Sequence, residues 1–139
     1  MNTAYPYTVE PQDNGGYLVQ FIDFEEAFTE GLTMEEAAFN AAEVLSLVIE
    51  QRLSDGQAIF LPSSNEGHLV AYPQASIQAA LLMRQTREAQ GRTLADLARA
   101  LQTSWPSAQR LEQSRSNPTL KQLERAAAAL GKRLTITFA

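Results

Sequence analysis

A chain of 139 residues, 45% hydrophobic and 19% charged with a formal net charge of −5, is long enough for one domain or two small ones and too apolar for a disordered tail. It has no cysteine, which excludes disulfides, thiolate metal sites and cysteine nucleophiles and agrees with a reducing compartment. No run approaches the roughly 20 apolar residues of a membrane span, and Met1-Asn2-Thr3-Ala4-Tyr5 lacks the basic-then-apolar order of a signal peptide. A cytoplasmic protein with no membrane partner is expected.

The first elements read as strands. Tyr5, Tyr7 and Val9 alternate with Pro6, Thr8 and Glu10, and Tyr17, Val19 and Phe21 alternate with Leu18, Gln20 and Ile22, the period of a strand with one buried face. Asp13-Asn14-Gly15-Gly16 joins them, and Asn-Gly favours the positive φ angles of a tight hairpin turn. A third short strand is expected around Ala27–Glu30. Thr33-Met34-Glu35-Glu36 has the form of a capping box, so a helix should begin there. Ala38, Ala41, Leu45 and Val48 would face the sheet, and Ser54-Asp55-Gly56 would end the helix after about Leu53. After a turn at Ser63–Gly67, His68–Tyr72 returns as an edge strand, which gives the order β-β-β-α-β and an α+β layer.

Helices follow. Pro73–Ser76 is expected to be a linker, with Ser76 capping a helix through Ile77, Ala80, Leu81 and Arg84 toward Gly91. Thr93 should cap the next, with Asp96 at N3 and Leu94, Leu97, Ala98 and Leu101 on its buried face. Gln102-Thr103 makes a break, and Ser104 caps a further helix in which Pro106 is tolerated within the first turn. Thr119 and Gln122 form another capping box, with Leu120, Leu123, Ala127 and Leu130 lining the last helix before Gly131. Arg133–Phe138 reads as a closing strand by its alternation.

Charge divides the chain at Pro73. Residues 1–73 hold 12 acids against one base, Arg52, a net of −11, whereas residues 74–139 hold 10 bases against 4 acids, a net of +6. The split implies two modules with oppositely charged partners, a basic one for the first and a polyanion for the second.

The first half, "YTVEPQDNGGYLVQFIDFEEAFTEGLTMEEAAFNAAEVL" with the later "FLPSS", resembles the HicB family of antitoxins through its hairpin, its Gly31-x-Thr33-x-x-Glu36-Ala37 segment and its Pro62-Ser63-Ser64 stretch. The resemblance implies a partial ribonuclease H-like domain over residues 1–73. That domain would be catalytically inert and would bind a HicA-like basic ribonuclease toxin that uses a histidine. Where that family commonly reads Pro-Asp-Leu-Pro-Gly-Cys, this chain has Ile22-Asp23-Phe24-Glu25-Glu26-Ala27. Asp23, Glu25 and Glu26 around Phe24 would make an apolar anchor in an acidic rim for that toxin; alternatively, Phe24 belongs to the core beneath a solvated loop.

No catalytic residue, metal ligand or cofactor is assigned. Two-metal nuclease chemistry needs carboxylates converging from separate elements, and here the candidates sit in one loop. His68 has neither cysteine nor a second histidine beside it, and neither GxGxxG nor GxxxxGK occurs.

The second half, "TLADLARAL" through "RLEQSRSNPTLKQLERAAAALGKRLTI", is similar to the Cro/C1 helix-turn-helix family. The resemblance implies a DNA-binding and dimerisation domain over residues 77–139. Trp105, Ser107, Gln109 and Arg110 would reach bases or phosphates, and Arg115 would lie near the backbone. Gln102 stands in place of the usual turn glycine, Ala108 of a larger aliphatic and Ser114 of a frequent glycine. A bundle that only dimerises is the alternative for this half. The expected protein is an antitoxin that occludes its toxin and represses its own operon on operator DNA as a homodimer or higher oligomer. Its rivals are a regulator with a ligand-sensing first domain and a metal-dependent nuclease.

Overall fold

Tyr5–Pro11 (β1) and Tyr17–Phe21 (β2) pair antiparallel, with Tyr7 opposite Phe21 and Pro11 opposite Tyr17. Five residues, Gln12–Gly16, therefore make the turn. In this computed structural model, which describes residues 2–139, Gly15 alone within that loop has a positive φ, at 89°. The expected tight Asn-Gly turn needs positive φ at both central residues. Here the Asn14 side chain instead accepts the Gly16 amide proton at 3.0 Å, and a wider loop results.

Phe28–Gly31 (β3) adds to β2, and Leu69–Ala71 (β4) to the other side of β1, so the antiparallel sheet has the order β3-β2-β1-β4. Met34–Asp55 (α1) covers one face, which gives the expected α+β sheet and helix. The Thr33 hydroxyl caps α1 by accepting the Glu36 amide proton at 3.0 Å, but no return bond from the Glu36 side chain completes the box. The helix is also rotated from the expected phase. Its inward residues are Ala37, Ala41, Leu45, Ile49 and Leu53, not Ala38 and Val48, because spacings of three and four fix a stripe's existence better than its centre. Against it lie Tyr5, Tyr7, Val19 and Phe21, with ring centroids of Tyr7 and Phe21 5.4 Å apart.

Ala75–Ala89 (α2) begins earlier than expected. Ser76 already lies inside it, and its opening turn is closed by the Gln74 carbonyl. The Gln74 amide donates to the Ser46 hydroxyl at 3.0 Å and Thr3 bonds to Gln78, so residues 73–78 are built into the first unit. That compact unit runs to Gln78 and the second starts at Ala79, inside α2.

The second unit consists of the rest of α2, Leu94–Ala100 (α3), Trp105–Arg110 (α4), a single 3₁₀ turn at Ser114–Ser116 and Leu120–Ala129 (α5). Both arms of the capping boxes at Thr93/Asp96 and Thr119/Gln122 are formed. Its core is Met83, Leu97, Ala98, Ala108, Leu123, Ala126 and Leu130. Leu120, expected inside, is 60% exposed, and Ala126 takes the inward place given to Ala127. Residues 132–139 form no strand, contrary to the alternation of Arg133–Phe138: a strand needs a neighbour to satisfy its amides, and this unit is otherwise helical. Leu134 alone of that segment packs on the core.

Candidate interaction surfaces

The loop expected to meet a basic partner is largely engaged by its own chain. Phe24 is fully buried, 5.0 Å from the Tyr5 ring, with the Arg52 guanidinium 5.1 Å above it. It is thus a core residue, and its reading as an exposed anchor is corrected: in a sheet of this size the aromatic gains more from burial than the loop gains from showing it. Arg52 also grips Glu26 through two hydrogen bonds of 2.8 and 2.9 Å and donates to the Ala58 carbonyl at 2.8 Å. The hydrogen bond from Arg52 holds the Glu26 carboxyl below its ordinary range, and Glu26 in turn raises Arg52. Asp23 accepts the Ser63 amide proton at 2.9 Å and the Ser63 hydroxyl proton. Of the four residues assigned to the toxin, Glu25 is exposed, Glu26 is exposed but paired, and Asp23 is half-buried.

These bonds pin the irregular segment Gln57–Ser63 against the loop, helped by the Tyr5 hydroxyl donating to the Phe60 carbonyl at 2.9 Å. Phe60 and Leu61 stay exposed within it. The Gly31-x-Thr33-x-x-Glu36-Ala37 segment acquires a physical meaning at the same time. A Cβ on Gly31 would stand 2.5 Å from the Ala37 amide nitrogen, so only glycine lets β3 end so close to α1.

In the second unit α3, a four-residue turn and α4 follow one another. Ser104 caps α4 through the Ser107 amide at 3.2 Å, and Ala108 is buried against the core. At 3.6 residues per turn, Arg110 stands opposite Ala108, with Gln109 and Ser107 on its two flanks and Trp105 one turn before Gln109. Trp105 and Arg110 are exposed, while Gln109 and Ser107 are half-buried. The Ser107 hydroxyl accepts from Ser104 at 2.9 Å and lines a concavity shared with Gln102, Gln122 and Arg125. Arg115 is exposed on the 3₁₀ turn, which Ser116 ties to the Arg110 carbonyl. Gln102 has φ 53°, so it holds the left-handed conformation of the glycine it replaces.

Several bases have structural duties that their count concealed. Arg87 and Glu112, with side chains 13% and 7% exposed, form two bonds of 2.6 and 2.9 Å that tie α2 to the end of α4, and Glu112 raises Arg87. Arg84 pairs with Glu88, Arg99 with Asp96, and Arg92 donates to the Ala129 carbonyl at 2.9 Å. Arg110, Arg115, Lys121, Arg125, Lys132 and Arg133 are exposed. Arg125, beside Ser107, was not among the residues singled out from sequence; its signal was a base on the polar side of α5.

Two small units, an acidic sheet capped by one helix and a basic set of helices with a helix-turn-helix, define a class of regulatory two-module protein. Residues 4–74 match the profile of the HicB-like antitoxin of bacterial toxin-antitoxin systems, and residues 78–132 match that of a helix-turn-helix domain. The chain belongs to the HicB-like antitoxin family. It is 31% identical over 136 residues to Antitoxin HicB of Escherichia coli K12, covering 96% of this chain and 98% of that protein. It is equally identical over 137 residues to Antitoxin HicB 1 of Photorhabdus laumondii, covering 99% and 88%. Among solved structures it is similar to the N-terminal domain of Burkholderia pseudomallei antitoxin HicB, with a TM-score of 0.43 and 23% identity over 49% of this chain and 92% of that one. Among the described residues no helix is long and apolar enough to cross a membrane.

Proposed function

We propose that this chain neutralises a HicA-like ribonuclease toxin through its first unit and represses the operon encoding both through its second. The observation that carries the reading is the coincidence of charge with module. The HicB-like stretch is strongly acidic with its one base, Arg52, committed to Glu26, while the helix-turn-helix stretch is basic with Arg110, Arg115 and Arg125 exposed around α4. Inhibition is by occlusion: the acidic surface covers the toxin's basic RNA-binding side and its histidine, with Glu25 and the paired Glu26 and Asp23 adding to the attractive field. Any likeness of that sheet to a partial ribonuclease H domain serves as a scaffold in this account and supplies no chemistry.

On DNA, Trp105, Gln109 and Arg110 enter the major groove from α4, and Ser107, Arg115 and Arg125 meet phosphates. One six-residue helix reads few bases, so two copies act together on half-sites about one helical turn, 34–36 Å, apart. The alternating segment 133–138 has the pattern to pair with its equivalent in a second copy. Co-expression of the tagged chain with the neighbouring short gene, followed by a ribonuclease assay and an operator shift, tests the whole reading. Capture of a ribonuclease whose activity the chain abolishes is the expected result. Operator binding with no captured partner would favour the ligand-sensing regulator, and magnesium-dependent RNA cleavage lost on Asp23→Asn would favour the nuclease.

A further inference from the structure

Helix α1 carries on its solvent side a pattern that packing in this chain does not require. Its inward residues Ala37, Ala41, Leu45 and Ile49 recur every fourth position, and the opposite side presents Glu36, Phe39, Glu43 and Leu47. Phe39 is 67% exposed and Leu47 66%. At 3.6 residues per turn both lie within about 40° of Glu43, so two large apolar groups stand about 12 Å apart along one stripe with carboxylates between and beside them.

We propose that this face of α1 is the surface on which the basic ribonuclease docks, with Phe39 and Leu47 as anchors and Glu36 and Glu43 as the acidic rim. The inference rests on the antitoxin reading above and places its contact away from the loop at 23–26. That loop has Phe24 in the core, Asp23 bonded to Ser63 and Glu26 held by Arg52. The helix offers what the loop withholds: exposed apolar area flanked by exposed carboxylates, on a 22-residue element.

The charge decides among occupants. A second copy in a symmetric contact would set the Glu36 and Glu43 carboxylates against carboxylates of the same stripe, and the unit's one base, Arg52, is already paired with Glu26. Nucleic acid and anionic lipid are repelled by the same carboxylates. A convex helix face is the wrong shape for a small ligand. A basic protein surface with an apolar patch fits all of these features.

The test titrates the full-length chain into a purified HicA-like ribonuclease from the same operon, its catalytic histidine replaced. The wild type is compared with Phe39→Ser/Leu47→Ser and with Glu43→Lys. Because these side chains are largely exposed, thermal midpoint and operator binding should hold, which separates a lost contact from a lost fold. We expect the double variant to weaken toxin binding about 100-fold or more, and Glu43→Lys to weaken it roughly tenfold with a flatter salt dependence. Phe60→Ser/Leu61→Ser, altering the exposed pair beside the loop, should keep wild-type affinity. Wild-type affinity in both α1 variants overturns the inference while leaving the antitoxin reading intact, and a loss confined to the Phe60/Leu61 variant would move the contact to the loop. A lowered oligomer mass in the α1 variants with toxin affinity unchanged would make the face a self-association surface instead. Failure of the wild type itself to bind would sink both readings together.

Discussion

Gly31 and Gln102 show two opposite relations between a residue and its backbone. Gly31 has an ordinary φ, yet its missing side chain is what allows β3 to meet α1, since a Cβ would lie 2.5 Å from the Ala37 nitrogen and 2.8 Å from its Cα. Those are backbone atoms and cannot swing aside, so Gly31→Ala should destabilise the first unit by about 2 kcal/mol, in the range of overpacking changes. A urea melt of the chain checks this; a cost below about 0.5 kcal/mol would mean that the strand relaxes away from the helix. Gln102 is the reverse case, an exposed side chain at φ 53°, where a Cβ is penalised by about 1 kcal/mol. Gln102→Gly should therefore raise the stability of the helix-turn-helix unit by only about 0–0.6 kcal/mol, after allowance for the greater unfolded-state freedom of glycine. The replaced glycine was visible in the sequence; that the conformation persists without it was not.

At the scale of elements, single ion pairs tie together pieces of chain that are far apart in sequence. Arg87 and Glu112 join α2 to the end of α4 where neither is reached well by water. Removing one partner leaves the other charge buried, so Arg87→Ala should cost on the order of 3 kcal/mol. Arg87→Met combined with Glu112→Leu should cost much less, and a double variant as unstable as the single would show that packing of the arginine stem, not the charge, is what matters. The Arg52–Glu26 pair is more exposed and correspondingly weaker, under about 1 kcal/mol. Because the hydrogen bond from Arg52 lowers the Glu26 pKa in the folded chain, its contribution is complete above the ordinary glutamate value of 4.5 and is lost as pH falls through the lower folded value. The wild type should therefore melt slightly above Glu26→Gln at neutral pH, and the gap should close in acid. A gap that persists at pH 2 would indicate that Glu26 acts through packing. Neither pair was legible beforehand, since sequence shows the sign of a side chain and not its partner.

For the whole molecule, the proposed division of tasks between the two halves predicts that variants should separate them. Arg110→Ala should weaken operator binding by about 1–3 kcal/mol and relax base preference, while Arg125→Ala should weaken binding to all sequences and lower the salt slope by about one. Both should leave toxin affinity unchanged. Gel shifts at two salt concentrations on matched and mismatched operators distinguish these outcomes, and an unchanged affinity for Arg110→Ala would place it off the groove. The sequence by itself determined the β-β-β-α-β order, the helices that follow, the capping boxes at Thr93 and Thr119, the break at Gln102 and the division of charge, because periodicity, capping and composition are local properties of a chain. Tertiary structure alone decided that Phe24 turns inward, that α1 buries Ala37 and Ile49 and turns Phe39 and Leu47 outward, that the boundary between units lies inside α2, and that residues 133–138 form no strand. Each of those depends on what lies opposite a side chain or backbone amide. Hydrophobic burial and hydrogen bonding are settled between partners, and the residue alone does not name its partner.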